Sequence, residues 1–197
     1  MAACGLDEKL FTYLLERAAA PDEATRPLAA MLARAAGMRL SLERLGWPRA
    51  ALDRLLARCF PGAAAASLRT ALEHAPREFP REAEEIPDLV VLLLEHAAVR
   101  DETTLWLARA VALACLGEQH LWQDMRLPHR AALTTLLGQY FPSLVRRNTQ
   151  DMKWKRFLYK QLCEKEAIAC RAPQCTACED YRDCFGPETV PESVGVC

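Results

Sequence analysis

Apolar positions recur along this chain with the spacing of amphipathic helices. Leu6, Leu10 and Leu14 follow an i, i+4, i+8 rhythm, and comparable apolar stripes continue to residue 163. No segment shows the alternation of apolar and polar residues that is typical of a half-buried strand. The pattern predicts an all-α fold, a multi-helix bundle that ends in a C-terminal cysteine-rich loop.

Proline and glutamate divide the predicted bundle in two. Residues 76–87 carry three prolines and four glutamates, which is poor material for a core, so we interpret them as a solvated linker. The predicted organisation is an N-terminal helical region at 1–75, the linker at 76–87, a second helical region at 88–166, the cysteine-rich loop at 167–186 and a flexible tail at 187–197.

Three helices of the second region have readable boundaries. Asp101 is placed to cap a helix that runs through Cys115 to Gly117, and Pro128 opens another that runs to Phe141. The last predicted helix spans about Asp151 to Glu166 and leads directly into the cysteine-rich loop. Its apolar stripe, which we expect to pack on the bundle, consists of Trp154, Phe157, Leu158 and Leu162.

Composition narrows the class of protein. The 197 residues are 51% hydrophobic, with only 8 glycines and 7% aromatics, which favours a helical domain with a real core. A formal net charge of −1 argues against a general polyanion binder. The start of the chain lacks the basic and apolar regions of a signal peptide, and the longest strongly apolar run, at 89–94, is far too short to span a membrane. These features predict a soluble, cytoplasmic protein, whose thiols stay reduced.

Four cysteines near the C-terminus form the chief candidate site. Cys170, Cys175, Cys178 and Cys184 have the spacing C-x4-C-x2-C-x5-C, so four sulfurs can converge on one point. Disulfides, a zinc ion or an iron–sulfur-type cluster would each account for such a group. Since the chain has nine cysteines, complete pairing within the chain is excluded.

The spacing favours a metal–sulfur cluster over zinc. Structural zinc is usually held by two separate pairs of ligands, whereas this segment has one C-x2-C pair and two outlying cysteines. Its first three cysteines match the C-x4-C-x2-C opening of plant-type ferredoxins, although those proteins are rich in β-structure. Zinc therefore remains the second hypothesis.

Other cysteines and a short motif are weaker candidates. Cys163 lies seven residues before the first cysteine of the group, close enough to act as an accessory or exchange ligand, although a buried structural cysteine is the commoner case. Cys59 and Cys115 lie on apolar faces and are expected in the core.

His120 and Asp124, in HLWQD, share one helical face and are possible accessory ligands. A helix start with a buried tryptophan is the alternative that we favour. No nucleophile elbow, phosphate loop or HExxH motif is present, so a conventional hydrolase or transferase is not supported.

Basic residues precede the cysteines. Their aromatic neighbours belong to the apolar stripe and no recognised nucleic-acid-binding motif accompanies them, so nucleic acid is not an expected partner. Either a solvated helix face or a surface that attracts anions or docks a partner would explain these charges. The residues concerned are Arg146, Arg147, Lys153, Lys155, Arg156 and Lys160.

Taken together, these segments resemble one known family, the NifQ proteins of nitrogen fixation. The resemblance rests on HLWQDM at 120–125, FPSLVRRN at 141–148, DMKWKRFLYKQLC at 151–163 and, above all, CRAPQCTACEDYRDCFG at 170–186. The cysteine spacing matches the family pattern without gaps. One departure is Met125-Arg126, where relatives commonly carry a Leu-Gly pair.

The resemblance implies a molybdenum–iron–sulfur cluster, held by Cys170, Cys175, Cys178 and Cys184. It also implies a metallocluster carrier rather than an enzyme. Such a carrier takes molybdenum from molybdate or another source and donates it to the assembly of the nitrogenase iron–molybdenum cofactor, with the cofactor scaffold complex and the nitrogenase iron protein as partners. A structural zinc knuckle on a helical interaction module, and an ordinary 4Fe–4S redox or sensor protein, are the alternatives.

Overall fold

The structure is a computed structural model that describes residues 4–20, 22–38, 40, 47–64, 68, 84–168 and 175–188. Regular secondary structure within these ranges is entirely helical, which confirms the predicted all-α fold for the described part of the chain. The α-helices are α1 (Cys4–Leu15), α2 (Thr25–Gly37), α3 (Arg49–Cys59), α4 (Ile86–Glu95), α5 (Glu102–Cys115), α6 (Leu121–Asp124), α7 (Arg130–Tyr140), α8 (Pro142–Arg147), α9 (Trp154–Lys165) and α10 (Tyr181–Phe185). A 3₁₀ turn, Cys175–Ala177, precedes α10.

One hydrophobic core joins the two predicted helical regions. Helix α2 packs against α1 and also against α5, and α5 in turn packs against α4. Leu14 and Leu28 from the first region lie in the same buried cluster as Val111, Leu137 and Leu158 from the second. Helix α5 is buried on nearly every face, as expected of a helix that is apolar all round.

The predicted linker overlaps a helix. Helix α4 begins at Ile86, whose side chain is only 1% exposed, so Ile86 belongs to the core, while its neighbours Glu85 and Pro87 are exposed. Pro87 occupies the first turn of this helix, where its missing N–H costs no hydrogen bond. Residues 76–83 lie outside the described residues.

Side-chain caps account for the starts of two helices. As predicted, Asp101 caps α5, where its carboxylate accepts a 2.8 Å hydrogen bond from the backbone N–H of Thr104. The helix predicted from Pro128 begins instead at Arg130, because His129 provides the cap and its Nδ1 accepts from Ala132 N at 3.1 Å.

The helix that leads to the cysteines begins later than the predicted Asp151. Asp151 has a φ of 54°, in the left-handed region, which a right-handed helix cannot include. The Asn148 side chain bridges both backbone groups of Met152 at 2.9 Å, so the chain turns there before α9 starts at Trp154.

Two faces of α9 serve different purposes. Trp154, Phe157 and Leu158 are buried in the core, as the apolar stripe predicted, although Leu162 is only half-buried. The opposite face carries Tyr159 and Cys163 toward the cysteine-rich segment. Core packing therefore fixes the position of the helix that supports the candidate site.

No helix in the described ranges is long and apolar enough to cross a lipid bilayer.

Candidate metal centre

Four cysteines line one cavity beside α9. The cavity has a volume of about 590 Å³, and its walls include the thiol-bearing residues Cys163, Cys175, Cys178 and Cys184. Tyr159, Tyr181 and Phe185 supply aromatic surface, and the rings of Tyr181 and Phe185 stack with centroids 4.8 Å apart. The charged side chains at its edge are Arg156, Lys160, Glu164 and Asp180.

Short helical turns present three of the predicted ligands. Cys175 begins the 3₁₀ turn and Cys178 follows it directly, and the backbone N–H of Cys178 donates to Cys175 O at 3.1 Å. Cys184 lies in α10, where its backbone N–H donates to Asp180 O at 3.3 Å. All three residues are half-buried and none is in a disulfide. Cys170, the fourth predicted ligand, lies outside the described residues.

The thiols share a cavity without forming a preassembled ion site. Among the residues that the structure describes, no three Cys, His, Asp or Glu side chains are grouped closely enough to hold a metal ion. The donor chemistry nevertheless suits iron and sulfide, since soft thiolates are the usual ligands of iron–sulfur clusters. Binding would therefore require the thiols to draw together around the incoming group.

Backbone contacts join the cysteine segment to the start of α9. Lys153 N donates to the carbonyl of Cys184 at 2.8 Å, and Lys153 Nζ approaches the carbonyl of Arg182 at 3.3 Å. Arg156 pairs with Asp183 at 3.7 Å. Helix α10 is therefore attached to the N-terminal end of the helix whose other end carries Cys163.

Glu188 anchors the chain just beyond the cysteines. Its Oε2 accepts a 2.7 Å hydrogen bond from the indole Nε1 of Trp122, and its Oε1 accepts one of 2.5 Å from Arg130. His120 Nδ1 lies 4.0 Å from the same carboxylate, whose side chain is only 12% exposed. Glu188, which the sequence pattern placed in a flexible tail, is thus held against the HLWQD segment, and residues 189–197 lie outside the described residues.

The buried carboxylate of Asp124 anchors the start of α9 to α6. Asp124 is paired with Arg34 of α2 and with Lys155, whose Nζ lies 2.5 Å from Asp124 Oδ2 and also donates to the Gly117 carbonyl at 2.6 Å. The Asp124 side chain is 4% exposed. A Cβ at Gly117 would overlap this carboxylate, which explains why glycine stands there.

These contacts give the HLWQD motif a role different from the one we considered for metal binding. Asp124 is already occupied by two cations, His120 precedes α6 as its N-cap, and neither residue lines the cysteine cavity. Trp122, expected to be buried, is half-buried against the core, and its indole N–H donates to Glu188. The motif holds the two ends of the segment that runs from α9 to residue 188.

The predicted basic surface is largely paired within the protein. Lys155 is a structural residue, with a side chain only 17% exposed. Arg147 and Lys160 both approach Glu164, at 4.0 and 3.6 Å, and Lys153 and Arg156 contact α10 as described above. Arg146 is exposed. Arg156 and Lys160 border the cysteine cavity and remain partly accessible to solvent.

The two cysteines expected in the core differ. Cys115 is buried on α5, and burial raises the pKa of its thiol to about 12, so it stays protonated near neutral pH. Cys59 is half-buried at the end of α3, and burial raises its pKa as well. The side chains of Cys4 and Cys197 lie outside the described residues.

Sequence reasoning missed the anchors of the site. They are far from their partners along the chain: Arg34 lies 90 positions from Asp124, and Arg130 lies 58 positions from Glu188. Only the folded chain brings such residues together. The one usable signal was the Asp in HLWQD, because a carboxylate within an apolar helical bundle requires a cationic partner.

Comparison with known proteins identifies the family of this chain. A model of the NifQ family matches residues 27–186, which is most of the chain and includes α9, the cysteine segment and α6. The chain belongs to the NifQ family. The match therefore confirms the resemblance that we inferred from the motifs. The NifQ family is implicated in nitrogen fixation.

Curated relatives cover different shares of the chain. Protein NifQ of Azotobacter vinelandii is 47% identical over 106 residues, which are 53% of this chain and 54% of that protein. The NifQ homologue of Sinorhizobium fredii is 36% identical over 152 residues, 77% of this chain and 64% of the relative. Protein NifQ of Rhodobacter capsulatus is 34% identical over 158 residues, 78% and 82% of the two chains. The match thus spans about half to two thirds of the first two relatives. No solved structure matches the chain.

Proposed function

We propose that this chain carries a molybdenum–iron–sulfur cluster and donates molybdenum for assembly of the nitrogenase iron–molybdenum cofactor. The observation that carries the proposal is the cavity beside α9, onto which Cys175, Cys178 and Cys184 all open in a member of the NifQ family. Cys170 would complete the four cluster ligands. The cluster is cargo in this proposal, and the protein acts as a carrier rather than as an enzyme.

The shape of the cavity supports a cargo larger than a single ion. A volume of about 590 Å³ exceeds the space that one tetrahedrally bound zinc needs, and its aromatic walls keep a low-dielectric surface near the sulfurs. The cavity is also open to solvent, and its cysteines are only half-buried. A cluster held there would stay within reach of a partner protein.

Partners in this proposal are those that the family resemblance implies. They are the nitrogenase cofactor scaffold complex and the nitrogenase iron protein, with molybdate or another molybdenum source upstream. Arg156 and Lys160 at the edge of the cavity would attract an anion or an acidic docking surface. We do not expect nucleic acid as a partner, and we expect the protein to work in the cytoplasm.

Anaerobic reconstitution of the whole chain with iron, sulfide and molybdate tests the proposal. We expect broad visible absorption, with iron and molybdenum both bound after desalting. Replacing both Cys175 and Cys178 by alanine should abolish both metals together, whereas Cys59→Ala should leave them bound. A colourless protein with one zinc would identify a structural knuckle, and iron without molybdenum would identify an ordinary 4Fe–4S protein; either result would overturn the proposal.

A further inference from the structure

Cys163 faces the same cavity as the loop cysteines. It lies on the last full turn of α9, four residues after Tyr159 and seven after Arg156, both of which border that cavity. This spacing follows one face of a helix. The opposite face, with Trp154 and Phe157, is buried in the core.

The support of Cys163 differs from that of the other thiols. Helix α9 is packed into the core by three buried apolar side chains and is anchored at its start by the ion pair of Lys155 with Asp124. At its end, the backbone N–H of Ile168 closes on the Cys163 carbonyl at 2.8 Å, with Ala167 in the left-handed region. Cys163 is therefore the thiol in the cavity that a long, core-packed helix carries, whereas Cys175 and Cys178 lie at a single 3₁₀ turn.

The segment from α9 to α10 contains more cysteines than one metal site needs. A cubane-type cluster or a tetrahedral ion takes four protein thiolates. With Cys170, the segment from α9 to α10 offers five cysteines, four of which line the cavity in the described part of the chain. Four thiols on one cavity, with Cys170 close to them in sequence, would allow a ligand to be exchanged while the metal remains bound.

We propose that Cys163 is a fifth metal-binding thiol of this cavity, able to replace a loop cysteine as a ligand while metal is received or released. The inference rests on the proposed function and adds a ligand to it. In the exchange, a Cys163 sulfur–metal bond forms as one loop sulfur–metal bond breaks. The proton that leaves Cys163 passes to the released thiolate, and no electron is transferred.

Cobalt(II) titration of the reduced, metal-free chain tests this assignment. The intensity of sulfur-to-cobalt charge-transfer absorption reports how many thiolates bind the ion. We expect Cys170→Ala to keep nearly full intensity, because Cys163 takes the vacant position. Cys163→Ala/Cys170→Ala should lose about one quarter of the intensity, one thiolate in four, and bind cobalt at least about tenfold more weakly.

Two further variants keep the result interpretable. Cys115→Ala/Cys170→Ala removes a buried thiol that does not line the cavity, and it should behave like Cys170→Ala alone. Cys163→Ser/Cys170→Ala retains the size and polarity of the side chain and should match the Cys163→Ala/Cys170→Ala double variant, which excludes a folding defect as the cause.

The possible failures are separable. Equal cobalt spectra and affinities for Cys170→Ala and Cys163→Ala/Cys170→Ala would overturn the role of Cys163 and leave the proposed function standing. If the wild-type chain bound cobalt without thiolate ligands, both the proposed function and this inference would fall.

Discussion

Trp122 Nε1 donates a 2.7 Å hydrogen bond to Glu188 Oε2, and this contact joins α6 to the chain just beyond the last cysteine. Two residues further along α6, Asp124 holds Lys155 at the start of α9. One short helix thus fixes both ends of the segment that bears the cysteines. The elements on both sides of the cavity are therefore held in place, although the described thiols are not grouped closely enough to form an ion site.

Glu188→Gln should weaken the attachment of residue 188 to α6. The amide nitrogen cannot accept a hydrogen bond, so either Trp122 or Arg130 loses its hydrogen bond to residue 188, and Arg130 keeps only the Asp151 carboxylate as a charged partner. We expect the free energy of unfolding to fall by about 1–2 kcal/mol, measured by urea denaturation of the reduced, metal-free chain. Amide hydrogen exchange in residues 175–188 should become faster.

Glu118→Gln is the matched control, since it makes the same chemical change at an exposed carboxylate. Its effect should stay within about 0.5 kcal/mol. Equal stabilities for the two variants would show that the Glu188 contacts do not anchor the segment.

Asp124→Ala should destabilise the protein more than any single change to its partners. It leaves Arg34 and Lys155 partly buried without a counter-charge, and uncompensated cations of this kind cost about 3–5 kcal/mol. Lys155→Met keeps the apolar stem and leaves Asp124 paired with Arg34, so its cost should be smaller. Thermal and urea unfolding of the two variants under the same conditions provide the comparison.

Gly117→Ala offers an independent check on this packing. The added methyl group overlaps the Asp124 carboxylate, while the backbone at Gly117 is outside the left-handed region and accepts alanine. Its cost should therefore shrink in an Asp124→Ala background. Additive costs in the double variant would mean that the two residues do not meet.

The parts of the fold that local chemistry controls were predictable from sequence. Asp101 caps α5 because a carboxylate three residues before a backbone N–H is a local arrangement, and the α9 stripe follows from helical periodicity. The start of α9 was misplaced because the bridge from Asn148 to Met152 opposes the helical continuation of the pattern. Long-range pairs such as Arg34 with Asp124 leave no local periodicity in the sequence.

The candidate site divides in the same way. Spacing indicated that the cysteines belong together, and Cys163 was a spare thiol whose orientation depended on the register of α9. The basic residues looked alike in sequence, but packing makes Lys155 a buried partner of Asp124 and leaves Arg156 at the cavity edge. At position 126, where the family resemblance led us to expect glycine, Arg126 has a φ of 56°, in the left-handed region that favours glycine.

Thiol reactivity should separate the cavity from the core. Since burial raises the pKa of Cys115 to about 12, very little thiolate exists there at neutral or mildly alkaline pH. Cys163, Cys175, Cys178 and Cys184 are half-buried and line an open cavity. Iodoacetamide should label these four in the native, metal-free chain, with Cys115 labelled only after unfolding, as read by peptide mass spectrometry. Rapid native labelling of Cys115 would contradict its assigned burial.

His96 should make the protein less stable in acid. Partial burial, together with the positive charge of Arg147, lowers the pKa of His96, and its Nδ1 lies 2.8 Å from Ser143 Oγ. The unfolded chain then binds the proton more readily than the folded chain, so stability that is present above the ordinary pKa of 6.5 is lost as the pH falls below 6.5 and through the lowered pKa of the folded chain. Urea unfolding between about pH 8 and pH 5.5 should show a shallower decline for His96→Gln than for the wild type. Parallel pH profiles would remove His96 from the explanation.

The basic edge of the cavity should influence transfer of molybdenum without holding the metal. Arg156 and Lys160 border the cavity, and Arg147 lies beside them because it approaches Glu164 as Lys160 does. Their side-chain exposures are 55%, 32% and 55%, so they remain available to an anion or an acidic partner. Changing all three to Glu should slow the acquisition or delivery of molybdenum several-fold at low salt. The defect should shrink as salt rises, because exposed charges are screened over about 10 Å at 0.1 M ionic strength.

Iron content should survive this charge reversal, since none of the three side chains can replace a thiolate. Lys9→Glu/Arg54→Glu/Arg100→Glu is the matched control, with the same change in net charge at exposed residues that do not line the cavity. Cofactor assembly from purified components, measured at two salt concentrations, compares the two variants.

If both variants deliver molybdenum as the wild type does, the edge of the cavity is an ordinary solvated helix surface. If both are equally slow, net charge rather than this edge controls the encounter. Slow transfer by the Arg147/Arg156/Lys160 variant alone, with iron retained, would place the entry or docking step at the side of α9 that carries Cys163.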